Sequence, residues 1–143
     1  MLIGTYNVKV ASGRRVFIPA QLRKDLGENL ILAKWYEGCL VLIASESWQA
    51  LYKRLTGKEE LIVEPIRDTE RFILGSAYEI EIDDQGRIII PENLNSYANF
   101  GETISFIGLI DRVEIWDSKI WEDKQKTLSK DAAKLIEKLA NAK

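Results

Sequence analysis

Hydrophobic and polar residues alternate in two stretches of the chain, residues 5–10 and residues 78–82. A period of two is typical of a strand with one buried face. Each stretch is followed by a glycine-containing turn, over 11–14 or 83–86, and then by a short apolar run that ends in Ile-Pro. The pattern therefore predicts a strand–turn–strand unit, a β-hairpin, in each half of the chain.

These two units are copies of one another, offset by 72 positions. Residues 13–19 read GRRVFIP and residues 85–91 read QGRIIIP, so Arg15 corresponds to Arg87. Two copies are too few for a solenoid, which needs at least about three. The repeat favours instead two equivalent halves that each place one arginine at the same position, and this is the layout of a binding module.

The remaining pattern mixes strands with short helices and predicts an α+β fold. Apolar runs at 30–33, 39–44, 103–108 and 112–116 indicate strands. Pro19 and Pro91 suit the first position of a short helix, and a longer helix follows Ser45 or Ser47, either of which could cap it. Because Pro65 interrupts a continuous helix, we predict a separate short helix at 69–74.

We expect one domain over residues 1–125, made of repeats 1–56 and 76–125 that the segment 57–75 joins. The tail 126–143 is predicted to be an amphipathic helix with Leu128, Ala132, Leu135, Ile136 and Leu139 on one face. This face is expected to pack against the body or a neighbouring subunit. Membrane association is disfavoured because the polar face is mixed in sign.

Composition narrows the possible functions. The chain has 143 residues and no histidine, which removes the commonest general base and the commonest zinc ligand. We therefore expect no enzyme, no cofactor, no metal and no small-molecule substrate. Cys39, the single cysteine, lies in an apolar run and is expected to be a small core residue. The opening residues lack the pattern of a signal peptide and no apolar run could span a membrane, so a cytoplasmic location is expected.

Positive charge is concentrated at the start of the chain. The net charge is −2, yet residues 1–24 contain no acidic residue. A local basic surface can bind phosphate on an acidic molecule, because screening confines its field to roughly 8–10 Å. The alternative, a solvated face whose charges are balanced elsewhere, stays open at this point. The five cations of this stretch are Lys9, Arg14, Arg15, Arg23 and Lys24.

The turn at 83–87 carries the clearest candidate chemistry. Gly86 permits a positive φ, and Asp83 and Arg87 flank the turn and could pair across it. Such a pair would hold the arginine in one orientation, in which its planar fork reads phosphate or guanine. Asp83 and Asp84 are poor candidates for an acid–base pair, because adjacent strand residues point to opposite faces.

Four aromatic residues match the helix and strand periods rather than a base-stacking pattern. We expect Phe17, Trp48, Phe72 and Trp121 to fill the core or subunit contacts.

The repeated unit with Asp-x-x-x-Arg, Ile-Pro and a short helix resembles the MraZ family of bacterial transcription regulators. The similarity extends to the opening LIGTY, to residues 18–23 (IPAQLR), to GCL at 38–40 and to VEIW at 113–116, and it covers about residues 1–125. The resemblance implies an AbrB-like swapped-hairpin fold, in which two pseudo-symmetric halves interleave into a β-barrel-like core. It also implies a ring of identical subunits.

The resemblance further implies sequence-specific binding of double-stranded DNA with short direct repeats, upstream of a cell-division and cell-wall gene cluster, by a nucleoid-associated protein. The repeated turns would contact the DNA. Two groups of residues are carried over: DNA-binding Lys9, Arg14, Arg15 and Arg87, and turn-shaping Gly13, Asp83 and Gly86.

The first copy departs from the family pattern. Ala11 stands where the motif has its aspartate, and Arg14 stands where glycine is frequent. We hypothesise that the first copy is a phosphate contact with little geometric control, whereas the second keeps an oriented Arg87. Two alternatives stay open: an antitoxin-like regulator whose C-terminal segment grips a toxin, and an oligomeric structural or adaptor protein with weak or no specific DNA binding.

Overall fold

The computed structural model describes residues 1–56 and 64–142, without the side chains of residues 55 and 56. The described part of the chain is α+β, as predicted. Residues 57–63 of the predicted connection lie outside the described residues. The strands are β1 Ile3–Lys9, β2 Arg15–Phe17, β3 Asn29–Lys34, β4 Leu40–Ala44, β5 Tyr78–Glu81, β6 Arg87–Ile89, β7 Thr103–Leu109 and β8 Val113–Asp117. The α-helices are α1 Ala20–Leu26, α2 Trp48–Thr56, α3 Glu64–Ile73, α4 Glu92–Ala98, α5 Ser118–Lys130 and α6 Ala132–Asn141.

The strands of the two predicted hairpins, β1, β2, β5 and β6, pair with strands of the other half of the chain rather than with each other in a hairpin. Strand β1 pairs with β7, and β2 pairs with β6, both antiparallel. A single bridge between Ala11 and Arg15 is what joins the two strands of the first predicted hairpin. The hairpin prediction was wrong because alternation identifies a strand without specifying its partner. Pairing β2 with β6 places Val16 beside Ile88, and both are buried.

Six of the described strands form one antiparallel sheet in the order β1-β7-β8-β4-β3-β5. Exchanging the halves, so that β1 replaces β5, β3 replaces β7 and β4 replaces β8, leaves this order unchanged. Among the described strands, β1 and β5 remain as open edges, so the sheet does not close and the expected β-barrel-like core is not found. The other two strands, β2 and β6, form a separate ribbon.

Both faces of the central strands are buried. Leu32 and Leu42 belong to a core cluster that also contains residues of the ribbon, α1 and α4. Ala33 and Val41, on the opposite face, belong to a second cluster with Leu51 of α2 and other residues of α2 and α3. Each buried leucine or isoleucine stabilises the fold by about 1.5–3 kcal/mol. The ribbon is therefore held on the sheet by the first cluster, through Val16, Ile18, Ile88 and Ile90.

Three helices differ from their predicted bounds. Pro19 and Pro91 stand immediately before α1 and α4, one position earlier than predicted. Helix α3 begins at Glu64 rather than near residue 69. It can include Pro65 because the first N–H groups of a helix have no intrahelical acceptor, so the missing donor costs little there.

Three of the four aromatic residues that were expected in the core or in subunit contacts pack in the core, and for Phe17 a subunit contact stays a prediction. Trp48, Phe72 and Trp121 pack against the second cluster. Phe17 is 49% exposed and does not belong to the core of the described chain. It lies on the outer side of the ribbon, because its neighbour Val16 takes the inner position. Cys39 is fully buried as predicted, and burial raises the pKa of its thiol.

The tail forms two helices, α5 and α6, that meet at Asp131. Leu135, Ile136 and Leu139 of α6 are exposed in the described chain. No described element covers this face, so the expected packing against the body is not found, and packing against a neighbouring subunit stays a prediction. None of the described helices combines the length and apolarity needed to cross a membrane.

Candidate nucleic-acid interface

The ribbon formed by β2 and β6 brings the two repeated arginines together. Its register pairs Arg15 with Ile89 and Phe17 with Arg87, on either side of the buried central pair. The ribbon is closed at each end by a backbone hydrogen bond, from Ile18 N to Gly86 O (3.0 Å) and from Ile90 N to Arg14 O (2.9 Å). We call the side chains of Arg15, Phe17, Arg87 and Ile89 the outer face of the ribbon.

Each arginine of the outer face lies opposite an apolar side chain from the other copy. Phe17 and Ile89 are 49% and 52% exposed. The Arg87 guanidinium carbon lies 5.8 Å from the centre of the Phe17 ring, within the range of a cation–π contact. Two cations and two exposed apolar groups therefore share one small surface.

Asp83 holds both the second turn and Arg87. Its Oδ1 accepts hydrogen bonds from the N–H groups of Gln85 and Arg87, each at 2.9 Å. Its Oδ2 accepts one from Arg87 Nε at 3.0 Å, so the predicted ion pair is confirmed. These donors, the Arg87 N–H first among them, lower the pKa of Asp83. The carboxylate form is thus stabilised, and the described residues leave both terminal nitrogens of Arg87 without a hydrogen bond.

The first turn holds its arginine differently. Ala11 N donates to Arg15 O at 2.8 Å, matching the 3.0 Å bond from Asp83 N to Arg87 O, but Ala11 has no carboxylate. Arg15 Nη1 donates instead to the Ser12 carbonyl at 3.2 Å. The guanidinium folds over Gly13, where a Cβ would approach Nη1 to 2.5 Å. The predicted loss of the ion pair is confirmed, and one neutral acceptor takes its place.

Arg14 occupies the position that corresponds to Gly86. Both residues have a left-handed backbone, with φ of 56° at Arg14 and 82° at Gly86. The positive φ predicted for Gly86 is therefore confirmed, and Gly13 has one as well, at 73°. Arg14 is half-buried and its Nε donates to the Ile90 carbonyl at 2.8 Å. The side chain is anchored along the end of the ribbon beside Arg15.

Arg23 is a residue of this surface that the sequence did not single out. It projects from α1 onto the second turn, where a Cβ on Gly86 would lie 1.9 Å from Arg23 Nη1 and 2.6 Å from Cζ. Its Nε is buried and has no hydrogen-bond partner among the described residues. Two features of the sequence indicate this residue only indirectly. Arg23 is one of five cations near the start of the chain, and the second copy has glycine at position 86, where the first copy has arginine.

Lys9 lies outside the ribbon. It is exposed at the end of β1, opposite Thr103 of β7 in the six-stranded sheet. The structure thus brings Arg14, Arg15, Arg87 and Arg23 to the ribbon and its turns and leaves Lys9 on a neighbouring strand. Within residues 1–56 and 64–142, no three carboxylate or thiol side chains converge as metal ligands would.

Known proteins resemble this chain over nearly its whole length. The family described as "MraZ protein, putative antitoxin-like" matches residues 1–71 and 73–142, so that each half of the repeat is matched once. A protein of Clostridium tetani named "Transcriptional regulator MraZ" is 42% identical over 123 residues, which are 86% of each chain. A protein of the same name from Caldanaerobacter subterraneus subsp. tengcongensis is 36% identical over 141 residues, 99% of this chain and 98% of that one.

Among solved structures, this chain is similar to "The solution structure of PHS018 from pyrococcus horikoshii". It covers 80% of this chain and 88% of its own at 13% identity. Its TM-score of 0.31 is too low to support an argument about fold or function.

Proposed function

The chain belongs to the MraZ family, and we propose that it is a sequence-specific DNA-binding transcriptional regulator without enzymatic activity. One observation carries the proposal. The repeated arginines, Arg15 and Arg87, lie on the outer face of a single two-stranded ribbon, and Asp83 fixes the orientation of Arg87. The relatives named as transcriptional regulators support the same function.

A two-stranded β-ribbon such as the pair of β2 and β6 is an element that the major groove admits. Within the Arg87 guanidinium, Asp83 engages Nε, so the two terminal nitrogens are left to bind guanine O6 and N7 as a fork. We assign Arg87 the role of base reader. Phe17 and Ile89 lie beside the arginines, where an apolar side chain can contact a thymine methyl group.

The first turn is assigned mainly to the phosphate backbone. Arg14 and Arg15 add two positive charges without a carboxylate, and their backbone acceptors orient them less strongly than Asp83 orients Arg87. Lys9, exposed on β1, would contact a flanking phosphate. Gly13 and Gly86 would shape the turns through their positive φ.

The finer description of the fold is a swapped-hairpin domain with pseudo-two-fold symmetry. Its support is the strand order, which is unchanged when the halves are exchanged, together with the pairing of β2 with β6. In such an arrangement, two turns from distant parts of the chain present their arginines side by side.

We propose that the protein acts as a homo-oligomer, with a ring as the expected form. One ribbon neutralises few phosphates, which gives weak binding at physiological salt. Several subunits on repeated sites make the later contacts intramolecular and can add a factor of about 10²–10⁴. The operator would therefore contain short direct repeats. We place it upstream of cell-division and cell-wall genes, and we place the protein in the cytoplasm, associated with the nucleoid.

An antitoxin-like or adaptor function is the second candidate. The exposed apolar face of α6, with Leu135, Ile136 and Leu139, offers a surface for a protein partner. Replacing these three residues by glutamine distinguishes the candidates. A regulator that assembles through α6 loses oligomerisation and operator binding together, whereas an antitoxin-like protein keeps operator binding and loses only the partner.

A titration of DNA from upstream of the protein's own gene tests the proposed function. A scrambled duplex of equal length serves as the control, and both duplexes are measured at two salt concentrations. We expect preferential binding of the upstream DNA by at least about 10³-fold. Equal affinity for the two duplexes would refute sequence-specific regulation and favour the adaptor function.

A further inference from the structure

The two turns obtain one of their arginines from different elements. In the first turn it is a residue of the turn itself, Arg14, and at the second it is a residue of helix α1, Arg23. Position 14 in the first copy is an arginine and position 86 in the second is a glycine, although both have a left-handed backbone. At Gly86 the space of a side chain is not empty, because Arg23 Nη1 lies 1.9 Å from the place where a Cβ would be. The guanidinium that Gly86 cannot supply comes from α1.

The residue types are also reversed at the equivalent positions of helices α1 and α4. Arg23 N donates to the Pro19 carbonyl at 3.0 Å, and Asn95 N donates to the Pro91 carbonyl at 2.9 Å. Arg23 and Asn95 are thus equivalent positions of α1 and α4, offset by 72 like the rest of the repeat. The first turn has arginine in the turn and asparagine on the equivalent helix position, whereas the second has glycine in the turn and arginine on the helix.

The electrostatics of the second turn require another cation if it is to face DNA. Asp83 and Asp84 place two negative charges in the turn, against one positive charge from Arg87. Arg23 lines the same surface hollow as Asp83, Asp84 and Glu28, and its positive charge offsets part of this negative charge. Its guanidinium makes no hydrogen bond or ion pair with the described residues, so its terminal nitrogens are available to a ligand.

We propose that Arg23 is a phosphate-binding residue of the second turn, supplied by the helix of the opposite half, and that it does there what Arg14 does in the first turn. Gly86 is a glycine because the Arg23 guanidinium occupies the space of its side chain. This inference rests on the proposed DNA-binding function. It adds a contact that neither the repeated motif nor its spacing contains.

Charge-removing substitutions with matched geometry test the proposal. Arg23→Gln keeps the length and polarity of the side chain, and Lys24→Gln removes the same charge from the adjacent, exposed position of α1. A double variant, Arg23→Asn/Gly86→Arg, gives the second turn the residues of the first. Arg14 demonstrates that this scaffold accommodates arginine with a positive φ. Each variant is titrated with upstream and scrambled duplex across a salt series.

One phosphate contact contributes about 0.9 to the magnitude of the slope of log K against log salt. If two proteins bind equally at 1 M salt, the one that lacks this contact binds about eightfold more weakly at about 0.1 M salt. We expect the slope measured for Arg23→Gln to be smaller by this amount per engaged subunit, on the upstream duplex and on the scrambled duplex. Lys24→Gln should bind like the wild type, and the double variant should recover the slope. A purely structural role would alter thermal unfolding and leave the slope unchanged.

The proposal is overturned if Arg23→Gln binds with the wild-type slope, or if Lys24→Gln loses as much. It is also overturned if the folded double variant keeps the reduced slope, or if both Arg23 variants fail to fold, since Arg23 is then a structural brace. A wild-type chain that binds neither duplex refutes the proposed function itself, independently of Arg23.

Discussion

Arg87 Nε donates to Asp83 Oδ2 over 3.0 Å, and the same carboxylate accepts the Arg87 backbone N–H through Oδ1 at 2.9 Å. One side chain thereby fixes both the turn and the direction of the arginine that leaves it. Arg15, at the corresponding place in the first copy, has the Ser12 carbonyl as its side-chain acceptor among the described residues. The two copies share a backbone plan but hold their arginines with unequal rigidity.

This inequality predicts different losses for Arg14→Ala and Arg87→Ala. Arg14→Ala should weaken binding to all sequences and reduce the salt slope by about one unit. Arg87→Ala should cost about 1–3 kcal/mol of discrimination between operator and scrambled DNA. Competition titrations of both variants measure the two quantities. An equal loss of sequence preference in the two variants would refute this division of roles.

Asp83 should titrate below the ordinary aspartate pKa of about 3.9, since backbone N–H donors stabilise its charged form. The stability that it contributes is present above the unfolded-state pKa and is lost as the pH falls through the lower folded-state pKa. NMR titration of the Asp83 carboxyl carbon measures the value. Because the Arg87 N–H is the largest cause, the pKa should stay low in Arg87→Ala. A titration near 3.9 in the wild type would contradict this assignment.

Gly86→Ala should destabilise the protein by about 1–2 kcal/mol, because alanine is strained at a φ of 82°. The added Cβ would also displace the Arg23 guanidinium. Gly75→Ala is the matched control, since a Cβ there meets no atom within 4 Å. Chemical denaturation compares the two variants. Equal stability of both would show that neither the backbone conformation nor Arg23 constrains position 86.

The parts of this site that could be predicted from sequence are those whose residues lie close together along the chain. The Asp83–Arg87 pair and the positive φ of Gly86 belong to one local turn, and both were predicted. The pairing of β2 with β6 and the contact of Arg23 with Gly86 were not, because alternation and spacing carry no information about partners more than 60 positions away. Whether Phe17 lies in the core or at the surface could not be decided from sequence for a related reason: Val16 and Phe17 are both apolar, and alternation in a three-residue strand does not decide which faces inward.

Phe17→Ala should reduce discrimination at thymine positions of the operator with little effect on folding, since the ring is half-exposed on the outer face. Phe106→Ala is the contrasting variant, because Phe106 is fully buried and its truncation should cost about 3–5 kcal/mol. Binding to operators with uracil in place of thymine, which lack the methyl group, isolates the contact. If Phe17→Ala and wild type respond equally to uracil, Phe17 does not contact thymine.

The ribbon itself is tested by a double variant, Arg15→Ala/Arg87→Ala, titrated with upstream and scrambled duplex beside the wild type. Both side chains lie on the outer face, so the fold should be retained, and thermal unfolding verifies this. The expected result is that the folded variant loses its preference for upstream DNA and binds both duplexes equally and weakly. A folded variant that retains the wild-type preference would contradict recognition of DNA by the outer face of the ribbon.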